Sequence, residues 1–110
     1  MEKFFINDKT IEVETADNFF KRLRGLMFRK NLDEGRGLLI APCNSVHMMF
    51  MRFAIDVVYL DKSLCIKKIV RDLTPWLGMS ICFGAWAALE LPRGSADKFN
   101  LSVGQKFSRK

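Results

Sequence analysis

Cys43, His47 and Asp56 have the widest chemical reach of any residues in this chain. A cysteine, a histidine and an aspartate can serve as nucleophile, general base and orienting group. That chemistry requires a hydrogen bond from thiolate to imidazole. Four residues of extended strand would hold Cys43 and His47 about 13 Å apart, so a bend must bring them together. No oxyanion-hole element is recognisable beside them. His47 is the only histidine. With Cys65 and Cys82 it makes a conceivable Cys3His set for zinc, but structural zinc sites bring a close cysteine pair and no CxxC occurs here. Reduced cysteine also behaves as a small hydrophobe, which suits Cys65 and Cys82 to strand interiors. The reading is therefore no metal and no cofactor, with catalysis by Cys43, His47 and Asp56 held as the alternative to a non-enzymatic role.

Four polar residues, His47, Arg52, Asp56 and Glu90, are the candidates for holding a small ligand. Asp56 stands among apolar neighbours, where a carboxylate must find donors or shift its pKa. Backbone amides of the preceding bend are its expected partners, ahead of a ligand. An ion pair with Arg22, Arg24 or Arg52 is the other way to satisfy it. Glu90 lies between Leu89 and Leu91, on the opposite strand face from both. It either faces solvent or lines a cleft.

The third candidate surface is apolar. Trp76, Leu77, Met79, Ile81, Phe83 and Trp86 fall in the uncharged run Thr74 to Leu89. Pro75, Gly78 and Gly84 make this segment irregular, and a loop normally runs over the surface. Six large apolar groups exceed what a monomer usually exposes. Trp76 and Trp86 are expected to plug one end of the fold. Leu77 and Met79, with Ile81 and Trp76 alongside, are expected to meet a protein partner or a second copy, so residues 76–86 form the predicted interaction segment. The run is too short and too broken to span a membrane.

These residues must be positioned by short strands. Lys3 to Ile6 and Thr10 to Val13 read as a hairpin around Asn7-Asp8-Lys9. Thr15 stands where an N-cap would, ahead of an amphipathic helix with Phe19, Phe20, Leu23, Leu26 and Met27 on one face. Leu38 to Ala41 is a buried strand ended by Pro42. Two short strands, Val46 to Met51 and Asp56 to Leu60, are joined by a bend at Arg52 to Ala54. Alternation would place Met48 and Phe50 on one face of the first, Met49 and Met51 on the other. Leu64 to Val70 pairs as a hairpin with the second. Leu73 to Phe83 is irregular, Ala85 to Leu91 is a strand, Ser95 caps one helical turn, and Leu101 to Phe107 turns into a last strand. No internal repeat is present.

The chain has 110 residues, 49% of them hydrophobic, a net charge of +6 and a pI near 9.5. This predicts one domain over residues 1–110, large enough to bury a core without disulfides or metals. An odd cysteine count and the absence of a signal-peptide pattern predict a reduced, cytoplasmic protein. The basic segment Lys21 to Lys30 permits contact with an anionic partner, but a charge run is ordinarily a solvated face, and no nucleic-acid module is recognisable.

Arg22-Leu-Arg-Gly-Leu-Met-Phe-Arg29, Cys43-Asn-Ser-Val-His47, Met51-Arg-Phe-Ala-Ile-Asp-Val-Val-Tyr-Leu-Asp61, Pro75-Trp76, Leu89-Glu-Leu-Pro-Arg-Gly94 and Val103-Gly104 occur in an order that resembles the small prokaryotic family named domain of unknown function 192. The resemblance covers about residues 13 to 107. It implies a jelly-roll-like β architecture and no defined activity. The chain departs from the family pattern at Ala54, where proline is usual, and at Gln105, where aspartate is usual. Together the readings predict a mainly β chain, a small jelly-roll-like sandwich or barrel with one amphipathic helix near the N-terminus. Its expected function is non-enzymatic binding of a protein or small ligand, with weak nucleic-acid binding through the basic segment as a further alternative.

Overall fold

A computed structural model describes residues 1–16, 18, 21, 25, 26 and 29–109. The strands are β1 (Glu2–Ile6), β2 (Lys9–Ala16), β3 (Arg36–Ile40), β4 (Ser45–His47), β5 (Ile55–Leu60), β6 (Ile66–Leu73), β7 (Met79–Ile81), β8 (Ala87–Pro92) and β9 (Ser108–Arg109). The helix α1 is one turn, Ser95–Lys98. Seven strands make one sheet in the order β6-β5-β8-β3-β2-β1-β9, and β4 and β7 form a separate two-stranded ribbon. Among the described residues no helix is long and apolar enough to cross a membrane.

Local chemistry explains the first elements. Asn7 and Asp8 both take left-handed backbone conformations, φ 51° and 62°. A two-residue hairpin needs this, and Asn and Asp tolerate it. β2 then runs on to Ala16 and pairs in parallel with β3, Thr15 opposite Leu39 and Ala16 opposite Ile40. Thr15 is thus a strand residue and not at the expected N-cap position. The ladder with β3 outweighs its capping preference. The helix predicted from Thr15 falls largely on residues 17, 19, 20, 22–24, 27 and 28. These include Phe19, Phe20, Leu23 and Met27 and lie outside the described residues. The helix among the described elements stands near the C-terminus, not the N-terminus.

The sheet curls on itself. Cys65, just before edge strand β6, bridges to Lys106, just before the opposite edge strand β9. The Ile66 amide donates to the Gln105 carbonyl at 2.8 Å, and the Phe107 amide to the Leu64 carbonyl at 3.1 Å. Inside the curl lies one core, with Phe4, Ile11, Val13, Leu39, Val58, Leu60, Leu89, Leu91, Phe99 and Phe107. A second core lies on the outer face, with Leu26, Leu38, Ile40, Val46, Met48, Met51, Ile55, Val57 and Tyr59. The architecture is therefore mainly β, as expected. It is one curled sheet capped by a ribbon rather than two facing sheets, because the rim-to-rim bridge closes the inner core without a second large sheet.

The central strands carry the consequence. All six residues of β5 are buried, since one face meets each core. Asp56 shares the inner face with Val58 and Leu60. Glu90 shares the outer face with Ala88, opposite Val57 and Leu38.

Candidate functional site

Asp56 is 1% exposed. Its Oδ1 accepts the Asp72 amide and its Oδ2 the Ala96 amide, each at 2.9 Å. The expectation of backbone donors is met in kind. The donors come from β6 and α1, not from the preceding bend. Gly94 occupies the N-cap of α1 with no side-chain hydrogen bond, so Ser95 is not the cap. Asp56, reaching across from β5, satisfies one of the amides a helix start leaves open.

Glu90 is 4% exposed, and its Oε1 has no hydrogen-bond partner. Gly25 lies over it in a left-handed conformation, φ 50°, where an added Cβ would stand 3.6 Å from Oε1 and 3.5 Å from Ile40 Cδ1. Burial pushes the Glu90 pKa up from 4.5 to about 7, and the Arg29 charge opposes the shift. Arg29 itself is engaged with Glu14 at 3.4 Å.

Cys43 and His47 belong to the outer layer. The Cys43 thiol donates to the Ser45 carbonyl at 3.0 Å, and His47 is exposed on β4, paired with Met79. Asp56 faces the inner core, so the thickness of the sheet separates it from both. Cys65 bridges to Lys106, while Cys43 and Cys82 pack against the outer core. None of the three is in a disulfide, and among the described residues no group of three His, Cys, Asp or Glu side chains is arranged to hold a metal. Arg52 is exposed in the turn region after Met51. His47, Arg52, Asp56 and Glu90 therefore do not converge on one pocket. A groove of about 640 Å³ lies elsewhere, between the β1–β2 turn and the chain leading into β9, lined by Asn7, Lys9, Gln105 and Lys106 among others.

The ribbon carries an unusual pattern. Along β7 and its flanks every second residue is exposed: Leu77 at 93%, Met79 at 77%, Ile81 at 44% and Phe83 at 83%. Ser80, on the alternate face, turns inward, and its hydroxyl bonds the Tyr59 hydroxyl at 2.6 Å. The period of two is that of an ordinary strand, but the apolar side is turned to solvent. The Lys68 ammonium fixes the ribbon at its edge by donating to the Ile81 carbonyl at 2.8 Å. Burial raises the Tyr59 pKa, and the Ser80 hydrogen bond partly offsets it.

One end of the strip is held by two strained turns. Phe50 and Trp76 both adopt left-handed backbone, φ 64° and 67°, which costs a bulky residue on the order of 1–3 kcal/mol. Their rings meet edge to face at 5.3 Å. The Met48 carbonyl accepts both the Met51 amide, at 3.0 Å, and the Trp76 amide, at 2.8 Å, and the Met48 amide donates to Gly78. Residues 48–51 thus form a turn, not the expected strand end: Met48 and Met51 are buried while Met49 and Phe50 are exposed. Trp76, expected as a plug, is 55% exposed, because the turn directs it at Phe50. Trp86 is half-buried against the inner core. At Gly78 an added Cβ would run into the Thr74 carbonyl oxygen and the Met48 side chain. Gly78→Ala is expected to cost about 1–3 kcal/mol in urea denaturation; a loss within about 0.5 kcal/mol, the range of a surface change, would show that the turn is not tightly packed.

Sequence reasoning singled out the strip but not its regular outward alternation. It also missed Ser80 as the ribbon's anchor. Lone hydroxyls at Tyr59 and Ser80 within apolar runs were the only available signal.

Comparison with known proteins adds the following. The model of DUF192, described as "Uncharacterized ACR", matches residues 3–108. A UPF0127 protein of Pyrococcus furiosus is 42% identical over 107 residues, covering 88% of this chain and 85% of that one. A UPF0127 protein of Thermococcus sibiricus is 36% identical over 103 residues, and the match spans 89% of this chain but 66% of that relative's length. The crystal structure of a protein of unknown function from Novosphingobium aromaticivorans superposes with a TM-score of 0.85 at 19% identity, covering 97% of this chain and 82% of that one.

Proposed function

The chain belongs to the uncharacterised family DUF192, and we propose that it is a non-enzymatic binding domain whose contact surface is the ribbon strip of Trp76, Leu77, Met79 and Ile81. The observation that carries this is the inverted exposure of β7 and its flank, with Leu77 93% and Met79 77% exposed. Large exposed apolar patches mark interaction sites, and Trp and Met are favoured where partners meet. The tie through Met48 preorganises the Phe50–Trp76 end, which lowers the ordering cost of binding. Separation of Asp56 from Cys43 and His47 by the sheet weighs against the Cys-His-Asp alternative, and the scatter of His47, Arg52, Asp56 and Glu90 weighs against a small-ligand pocket.

Leu77→Asp combined with Met79→Asp tests the reading. Both side chains are exposed, so the thermal midpoint is expected to stay nearly unchanged, within about 0.5 kcal/mol of stability. Self-association at high protein concentration, followed by sedimentation, is expected to fall. A double variant that unfolds, or that keeps the parent's self-association and its binding to every candidate partner, refutes the assignment of this surface.

A further inference from the structure

We infer that the ribbon strip seats on an anionic lipid surface, its apolar side chains entering the interface and a ring of cations meeting the headgroups. The inference rests on the strip being the contact surface, as proposed above, and names what it contacts.

Charge placement is the first argument. The two segments that build this face, residues 41–55 and 74–89, contain none of the twelve acidic residues of the chain, and their one formal charge is Arg52. The cations around the strip are identifiable. Arg52 is exposed two residues beyond Phe50. Lys68 reaches Ile81 at the β7 edge. Lys62 lines a depression with Gly84, Ala85 and Trp86, next to Phe83. Asp61 lines the same depression as Lys62, its carboxylate accepting the Ser63 and Cys65 amides, and Asp72 pairs with Arg93 at 3.2 Å. The two segments that build the face thus add only positive charge to it, on a chain of net charge +6.

Shape is the second argument. Leu77, Met79, Ile81 and Phe83 are exposed on the ribbon strand and its flanks. The interfacial zone of a bilayer accepts protruding Leu, Met, Phe and Trp side chains without a matching pocket, to a depth of about 5–10 Å, and Trp is enriched at that level. Phe50 and Trp76 are already locked together at the leading end. A second copy fits less well. A two-fold contact through this strip would set two copies of an acid-free face carrying Arg52 against each other, with no opposite charge on those segments to pair it.

The experiment uses the full chain with two vesicle preparations, phosphatidylcholine alone and phosphatidylcholine mixed with phosphatidylglycerol. Co-sedimentation with the anionic vesicles is expected, with a blue shift of tryptophan emission from Trp76 and weakening as salt is raised. Arg52→Glu and Lys62→Glu should each lower the partition coefficient by at least about fivefold, the effect of losing one cation near the surface. Leu77→Asp with Phe83→Asp should abolish binding while the thermal midpoint is retained. Equal binding to both vesicle types, or no binding to either, overturns the lipid assignment. If no vesicle is bound while the Leu77→Asp, Met79→Asp pair still lowers self-association, the contact surface stands and its occupant is protein. If vesicles are bound but the Leu77→Asp, Phe83→Asp variant binds equally well, the lipid seat is refuted, and self-association of the Leu77→Asp, Met79→Asp pair decides the contact surface separately.

Discussion

Replacing Asp56 with Ala is expected to cost about 3–5 kcal/mol of stability, a large share of the roughly 5–15 kcal/mol available to a domain of this kind. Two amides depend on this one carboxyl group. The Asp72 amide belongs to edge strand β6, where Asp72 itself takes a left-handed conformation, φ 54°. The Ala96 amide opens α1, and Ala96 is wholly buried. The Ala96 amide is buried and has no water to turn to when the carboxyl is removed, while the part-buried Asp72 amide loses the partner that holds it at the edge of β6. Asp56→Asn should lose about half as much, because one oxygen remains to accept while the new NH2 group faces a donor. Urea denaturation gives the magnitude, and amide hydrogen exchange at Asp72 and Ala96 locates it. A loss below about 1 kcal/mol for Ala, or unchanged protection at both amides, would contradict the assignment of Asp56 as the clasp between β5, β6 and α1.

Glu90→Gln is expected to have the opposite sign above neutral pH. The Glu90 pKa is raised from 4.5 to about 7 in the folded protein, by burial. Between these values the native state holds a proton that the unfolded state has released, so stability falls as pH rises. The contribution of the protonated group is full below about pH 4.5 and is lost as pH passes through 7. A shift of this size corresponds to about 3 kcal/mol between the two limits. Gln stays neutral throughout. The variant should therefore match the parent near pH 4 and exceed it by up to about 3 kcal/mol at pH 8. Chemical denaturation of both proteins across that range, plotted as a difference, removes the titration of the other carboxylates. A flat difference would show that Glu90 titrates in the folded protein as it does in the unfolded chain, so that burial does not raise its pKa. The same ionisation places a charge beneath the Gly25 turn, so its effect should be felt first in the segment that covers it.

These two carboxylates show how far local pattern reaches. Both were legible as carboxylates among apolar strand residues, and at Glu90 the alternation of neighbours correctly set it on the face opposite Leu89 and Leu91. Which face is covered, and by what, is not a local property. Asp56 finds its partners 16 and 40 residues away. Glu90 is buried because β8 lies between β5 and β3 with the Gly25 turn above it.

The sequence by itself determined the elements whose physics is short-ranged. Asn7-Asp8 dictates a hairpin because both residues tolerate positive φ. The run Val57-Val58-Tyr59-Leu60 dictates a strand, Asp61-Lys62-Ser63 dictates the turn that follows, and the Pro92-Arg93-Gly94 turn marks where the helical turn Ser95–Lys98 begins, although Gly94 and not Ser95 is its cap. The ordered motifs were enough to mark the family. Tertiary structure alone decided the rest. It drew Thr15 and Ala16 into β2, because a ladder with β3 offers more than a helix cap. It curled one sheet rim to rim, so that the inner core needed no facing sheet. It also turned the apolar side of β7 outward: Tyr59 bonds Ser80 and Lys68 bonds the Ile81 carbonyl, and these two anchors fix which face of a three-residue strand meets the core. Alternation of period two is the same for either choice, so only contacts distant in sequence could make it.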